Sequence, residues 1–410
     1  MTATIPNVVV IGGGVSGLRA AMEILKSGVL CRVLILSNES RRPYDRTTLS
    51  KFISIGPSIP ERLERPTPLR GSENPNIEWI QNVKVMRVLV DSSRILLNDG
   101  TSLSYDYLVV ASGVRPRRAI GRTSGESTPP VVRNVNDGAR LYNAYSQSDH
   151  IGVFGAGVLG CELATAAVTF TAKVSLAASE PAPLWSVFGD TMKVPLINLL
   201  KSKGVHFFGS LDRAWLSSST PDERECALFG PNKAWFGQGR SYSEVQAVGC
   251  IPNTDFLSPF LLCPMTNKVS VDRSYRVEGA PQIYAVGDVA SVNIGAGRYD
   301  NAELWARASQ TGRAAGRQIA TALGATLLPD ASTIRPHVMQ SQIFGIRLFS
   351  VGRRYDEGET RVLSYRSKGC ADGALVSHHY RGERVGAALM TSDGREMNQF
   401  LDLASTMSHY

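Results

Sequence analysis

Residues 8–17 read Val-Val-Val-Ile-Gly-Gly-Gly-Val-Ser-Gly, and no other stretch constrains the chain as tightly. Val8–Ile11 is a short continuous apolar run, the pattern of a central parallel strand buried on both faces. Beyond it, Leu18, Ala21, Ile24 and Leu25 recur near helical spacing, and Arg32–Leu36 forms a second apolar strand. The order is strand, GxGxxG, helix, strand. Gly12 permits the tight turn, Gly14 lets backbone approach a pyrophosphate, and Gly17 lets helix and strand pack closely. The helix start at Val15 and Ser16 offers N–H donors and a positive dipole end to phosphate. Glu39, 22 residues after Gly17, is the acidic group expected on a ribose hydroxyl. In this context the motif specifies a dinucleotide site rather than a merely tight turn.

The theme returns 143 residues later. Ile151–Phe154 is followed by Gly155, Ala156, Gly157, Val158, Leu159 and Gly160, then a helical stretch from Glu162 through Ala167 and a strand Lys173–Leu176. Two such folds imply two dinucleotides, and a flavin with a nicotinamide is the pair that hydride transfer requires. Two further segments fit. Tyr107–Gly113 is an apolar strand ending in the small residues Ala111, Ser112 and Gly113. Ile283–Ala290 is a strand ending in Gly287-Asp288, with a helix expected near 302–321. Asp288 is placed to accept from a ribityl chain, or else to cap a turn.

Length and charge narrow the class. A chain of 410 residues exceeds one hydrophobic core, so two or three domains are expected. The net charge is +8, and residues 1–118 carry 16 Lys/Arg against 10 Asp/Glu. That excess is either a solvated basic face or a docking face for an acidic partner. No long basic run with interleaved aromatics points to nucleic acid. The six cysteines, Cys31, Cys161, Cys226, Cys250, Cys263 and Cys370, form no CxxC, which argues against zinc, a disulfide framework and a redox-active disulfide. No apolar run approaches the roughly 20 residues that span a bilayer, and the first strand begins too early to leave room for a signal peptide. A cytoplasmic protein without membrane contact is expected.

The four cofactor-type segments, in this order, resemble the two-dinucleotide flavoprotein reductases of the glutathione-reductase class, within the pyridine nucleotide-disulfide oxidoreductases. The nearer resemblance is to FAD-dependent NAD(P)H:ferredoxin reductases that serve bacterial Rieske oxygenases and cytochromes P450. Arg42–Lys51 is similar to their RPYDRPPLSK stretch, Val248–Asn253 to VGVVPN, and Glu303-Leu304-Trp305 to ETW. The resemblance implies an α/β protein with two Rossmann-like domains and a smaller C-terminal α/β interface domain. Its implied layout is a first FAD segment at 1–118, an NAD(P)H domain at 119–245, a second FAD segment at 246–325 and an interface domain at 330–410. Within these, 122–130 reads as a linker and 217–221 as a turn. The tail shows strand-like runs at 345–351 and 385–390 and a helix near 396–405.

Hydride transfer from NAD(P)H to FAD, then single electrons to a ferredoxin-like protein, is the implied reaction. By match to the family, Lys51 lies beside the flavin ring and Glu162 where the nicotinamide docks, forming a Lys51–Glu162 pair. The plain alternatives are a surface lysine and a first-turn helix glutamate favoured by the dipole. Trp305 is expected near the flavin or in the core, and Arg46 and Arg115 near FAD or on the surface. Val85, at the end of a strand, would face the adenine. Gly249 and Gly287 are expected where backbone approaches a cofactor.

Two positions depart from the family pattern. At the end of the second strand of the second fold an acid is expected on the ribose, and Ala178 stands there, with Glu180 two residues on as the substitute. No arginine follows closely for a 2′-phosphate, which leans the reading to NADH over NADPH. Gln340 stands where the family tail carries a tryptophan, which leaves the acceptor open. The main alternative is an FAD-dependent oxidase or dehydrogenase acting directly on a small organic substrate. A disulfide reductase needs a reactive cysteine near 42–55, and none is there. The chain is expected to be a monomer or a homodimer.

Overall fold

A computed structural model of the chain describes residues 5–53, 66–118, 129–171, 173–213, 215, 219, 223–224, 227–228, 242–295, 298–300, 303–326, 338–352, 354–355, 357–367 and 371–406. The expected linker at 122–130 and turn at 217–221 lie largely outside them. In chain order the framework elements are β1 (Asn7–Ile11), α1 (Val15–Lys26), β2 (Arg32–Leu36), α2 (Thr48–Ile53), β3 (Ile77–Ile80) and β4 (Tyr107–Val110). They continue with β5 (His150–Phe154), α3 (Val158–Ala167), β6 (Lys173–Ala177), β7 (Val205–Phe208), β8 (Tyr242–Gln246), β9 (Ala280–Ala285) and α4 (Trp305–Ala322). The tail adds β10 (Met339–Ile343), β11 (Ile346–Gly352), β12 (Glu359–Ser367), β13 (Ala371–Tyr380), β14 (Glu383–Thr391) and α5 (Met397–Ser405).

These elements fall into two compact units. The first comprises residues 1–45, 67–115 and 251–334. Its main sheet has nine strands, with β9, β4, β1, β2 and β3 adjacent in that order. All neighbours among these five are parallel. Val8, Val9, Val10, Leu108, Val109, Val110, Ile283 and Tyr284 are buried there, as a sheet covered on both faces demands. Each such side chain contributes about 1.5–3 kcal/mol relative to exposure.

Helices α1 and α4 pack face to face within this unit. Two glycines of α4 one turn apart, Gly312 and Gly316, make that possible. A Cβ on Gly312 would press on the Ser16 carbonyl and lie 2.9 Å from its carbon, and one on Gly316 would lie 2.5 Å from the Ala20 carbonyl oxygen. Buried Glu23 of α1 and Arg317 of α4 close the seam at 3.3 Å. Val85 opens the strand Val85–Leu89 rather than ending one, because the turn before it runs through Asn82 with φ +58.

The second unit comprises residues 46–66, 116–250 and 335–410. Its parallel sheet has the order β7-β6-β5-β8, with β5 fully buried. The tail folds into an antiparallel sheet in the order β10-β11-β14-β13-β12. Phe349, Val351, Leu375 and Leu389 pack there against Phe400 of α5. The expected strands and helix of the tail are present, with bounds shifted by a few residues. Among the described residues no helix is long and apolar enough to cross a membrane.

Gly312→Ala is expected to destabilise the first unit by about 1–3 kcal/mol through overpacking, read as a lowered midpoint in thermal unfolding. An unchanged midpoint would show that the two helices have room to separate.

Candidate active site

Both glycine loops divide the work in the same way. In the first, Gly12 has φ +116 and a Cβ there would lie 2.6 Å from the Ala111 carbonyl carbon. Gly17 faces the Gly12 carbonyl, and a Cβ on it would lie 3.0 Å from a Val10 methyl. Backbone bonds lock the crossing: Gly12 N–H donates to Leu36 O at 2.8 Å, and Ala111 N–H to Ile11 O at 2.8 Å. Gly14 differs, since a Cβ on it would meet nothing within 4 Å. The second loop repeats this. Gly155, with φ +99, lies against Ala247 and Gly160 against Gly155, while Gly157 faces open space. Gly155 N–H donates to Ala177 O and Ala247 N–H to Phe154 O, each at 2.7 Å.

In each loop the open glycine is also the N-cap of the following helix, and no side chain caps it. The first-turn N–H groups at Val15 and Ser16, and at Val158 and Leu159, therefore lack side-chain capping. Closed glycines that fix the turn, an open one beside it, and an uncapped helix start make a fitting cradle for a pyrophosphate.

Around the first cradle the unit holds a cavity of about 280 Å³, whose walls include Gly12, Ser112, Lys84, Val85, Met86 and Asn253. The Ser112 hydroxyl donates to Asn253 O at 2.8 Å, and the Asn253 amide returns a bond to Ser112 O at 2.9 Å. Gly113, at φ +63, accepts the Asn253 N–H. Tyr44 donates to the Glu39 carboxylate at 2.8 Å, which orients the group expected on a ribose. Arg115 is tied to Pro252 O, Asn253 Oδ1 and Asp255, the last at 3.0 Å. Gly287, at φ +72, donates its N–H to Thr311, and a Cβ on it would lie 2.7 Å from Ser16 Oγ. Half-buried Asp288 shares the single 3-10 turn Gly287–Val289. Trp305 opens α4 and is 42% exposed, so the core alternative for it is corrected.

Arg46, Lys51, Glu162, Glu180 and Gly249 all fall in the second unit, with the second cradle. Arg46 donates to the Arg133 carbonyl at 2.9 Å, and Gly249, at φ +96, accepts the Arg117 N–H. Lys51 is exposed on α2. Glu162 sits one turn into α3, half-buried, and the expected Lys51–Glu162 pair is not formed. Its partners are hydroxyls instead: Ser50 donates to Oε2 at 2.6 Å and Ser341 to Oε1 at 2.5 Å. The neighbour of the expected lysine makes the contact because Ser50 is on the buried side of the short helix.

Just past β6, Ala178 is buried and Glu180, the residue expected on a ribose, is half-buried. Arg213, from the stretch after β7, reaches this end of β6, although it is 33 residues from Glu180 in sequence. It donates to Ser179 Oγ at 3.0 Å and pairs with Glu180 at 3.4 Å. An exposed pair of this kind is worth about 0–1 kcal/mol, so Glu180 is released to a ligand at little cost. Cys161 is adjacent to Glu162 but buried, and burial first, with the Glu162 charge second, pushes its thiol up to about 12. It is a poor nucleophile at neutral pH.

The model of the pyridine nucleotide-disulphide oxidoreductase family matches residues 6–312, three quarters of the chain and both cradles. The chain belongs to this family. Among similar members is the ferredoxin reductase component of chlorobenzene dioxygenase from Cupriavidus sp. (strain PS12), 27% identical, with 95% of this chain and 90% of that one covered. Another is the ferredoxin–NAD(+) reductase component of the p-cumate 2,3-dioxygenase system of Pseudomonas putida, 28% identical over 75% of this chain and 73% of the other. The fold matches that of a putidaredoxin reductase in covalent complex with putidaredoxin, with TM-score 0.77, 19% identity, and 98% and 93% of the two chains covered. As an oxidoreductase of this family, the chain keeps the nucleotide cradles and has no cysteine at 42–55.

Native protein is expected to resist iodoacetamide at Cys161 from about pH 7 to about pH 10, because a thiol raised this far stays protonated. Labelling of Cys161 that climbs steeply across that range, read by peptide mass spectrometry, would contradict its burial.

Proposed function

We propose that this chain is an FAD-dependent NADH reductase that passes electrons singly to a ferredoxin-type iron–sulfur protein serving an oxygenase. The carrying observation is the duplicated cradle, in which Gly14 and Gly157 alone among the motif glycines face open space. In this reading residues 1–118 and 246–325 hold FAD, 119–245 hold NADH and 330–410 meet the partner. When bound, the two cofactors supply hydride transfer and the step from two-electron to one-electron chemistry.

The residues divide accordingly. Gly12, Gly14, Val15, Ser16 and Gly17 present backbone to the FAD pyrophosphate, with Gly287 and Asp288 toward the ribityl chain. Glu39, held by Tyr44, takes the ribose; Val85 and Ser112 of the cavity wall, with Ala111 and Gly113 flanking Ser112 in sequence, serve the adenosine side. Arg46, Arg115, Gly249 and Trp305 support the cofactor from the flanks, and Lys51 places positive charge toward the flavin. Gly155, Gly157, Val158, Leu159 and Gly160 hold the second pyrophosphate, Glu180 its ribose and Glu162 the nicotinamide. NADH is preferred to NADPH because Glu180 is placed to accept from a ribose 2′-hydroxyl and would repel a 2′-phosphate. The excess of basic residues in 1–118 supports an acidic partner.

Anaerobic stopped-flow mixing tests this. NADH is expected to bleach the bound flavin within one turnover, faster than NADPH at equal concentration, and oxidised ferredoxin to restore it. Bound FAD that NADH leaves oxidised would overturn the reading. Gly14→Val is expected to fold, since the space above Gly14 is free, yet to purify without flavin. A yellow, fully loaded variant would contradict the cradle assignment.

A further inference from the structure

We infer that Ser341, with Ser50, is a positioning residue for hydride transfer: the two hydroxyls grip opposite oxygens of the Glu162 carboxylate and fix its plane. This rests on the reading above, that Glu162 is where the nicotinamide docks.

Three segments far apart in sequence meet at this carboxylate. Ser50 from α2 is 112 residues from Glu162, and Ser341 from β10 is 179 residues away. Both serines are 4% exposed. Among the described residues neither hydroxyl has another hydrogen-bond partner. Burying two hydroxyls brings no hydrophobic gain, and among the described residues each is compensated by Glu162.

Strand register makes the contact specific. Along β10, Ser341 and Ile343 are buried while Gln340 and Gln342 are exposed. Antiparallel pairing with β11 sets Ser341 opposite Leu348 and Ile343 opposite Ile346, both buried. A slip by one residue would turn a glutamine toward Glu162 and expose Ile343. The apolar pattern of the tail sheet thus holds one short hydroxyl against the carboxylate.

The geometry has a consequence for catalysis. With one donor on each oxygen, rotation of the carboxylate about its terminal bond breaks both bonds together. Glu162 is therefore presented in one orientation, and hydride transfer depends steeply on how its partners are placed. Loss of one donor loosens that orientation without removing the charge. The limiting rate should suffer more than the affinity for NADH.

The test is anaerobic stopped-flow reduction of the FAD-loaded enzyme by NADH across concentrations, for the parent and for Ser341→Ala, Ser341→Thr, Glu162→Gln and the Ser341→Ala/Glu162→Gln double variant. Ser341→Ala is expected to lower the limiting rate about tenfold, as for loss of a hydrogen bond to a charged group, with the apparent Kd for NADH changed less than about twofold. Threonine keeps the hydroxyl and should restore most of the rate. In the Glu162→Gln background, Ser341→Ala should change the rate less than about twofold, because the two residues act as one unit. Flavin content and reduction by dithionite should match the parent throughout.

A parental rate in Ser341→Ala, a threonine variant as slow as the alanine one, or an undiminished effect in the double variant would each overturn the inference. Where Ser341→Ala loses its flavin or precipitates, Ser50→Ala probes the other oxygen with the same expected split, and a parental rate there overturns it equally. Parent enzyme that NADH does not reduce would instead sink the reading of the site on which this inference stands.

Discussion

Everything in the first unit depends on how closely backbone approaches backbone at Gly12 and Gly17. Strand β1, helix α1 and the end of β4 meet there, backbone against backbone at Gly12, with only a Val10 methyl and the Ala111 Cβ beside Gly17. The approach aims the start of α1 at the space above Gly14 and sets the turn that carries Ser16 under Gly287. Gly312 and Gly316 extend the same device along α1, letting α4 lie against it. The second unit builds its cradle independently, with Gly155 and Gly160 pressed against Ala247 and Gly155. Two separate solutions to one steric problem, in one chain, argue that the shape serves a shared ligand chemistry rather than a local packing need.

Much of this was legible in the residues because it is local. Apolar run, glycine spacing and helical period all lie within about 30 residues, and their physics needs no tertiary information. The tail strands and the helix α4 were readable for the same reason. What the sequence hid is what long-range folding assembles. Arg213 reaches Glu180 only because β7 runs parallel beside β6. Ser50 displaces Lys51 as the partner of Glu162 because a helix of six residues buries one face, and neighbouring side chains cannot share it. Ser341 was invisible behind Gln340, since only the register of β10 shows which of the two points inward. Gly312 and Gly316 resemble ordinary helix residues until α1 is packed against them.

The polar groups sort by burial. Exposed pairs such as Arg115–Asp255 and Arg213–Glu180 hold geometry loosely and give way to a ligand cheaply. The Glu162 clamp is built from buried hydroxyls and gives way to nothing of similar size. A site that must bind, react and release combines both kinds: here the movable contacts are the exposed ion pairs and the fixed ones surround Glu162.

Two cradles, each opened by one glycine, are fitted to two dinucleotides, and a crystal structure of the enzyme with FAD and NADH bound puts this to the test. One pyrophosphate is expected within hydrogen-bond distance of the Val15 and Ser16 N–H groups and the other at Val158 and Leu159, each packed over Gly14 or Gly157. A single dinucleotide, or pyrophosphates lying away from these helix starts, would contradict it.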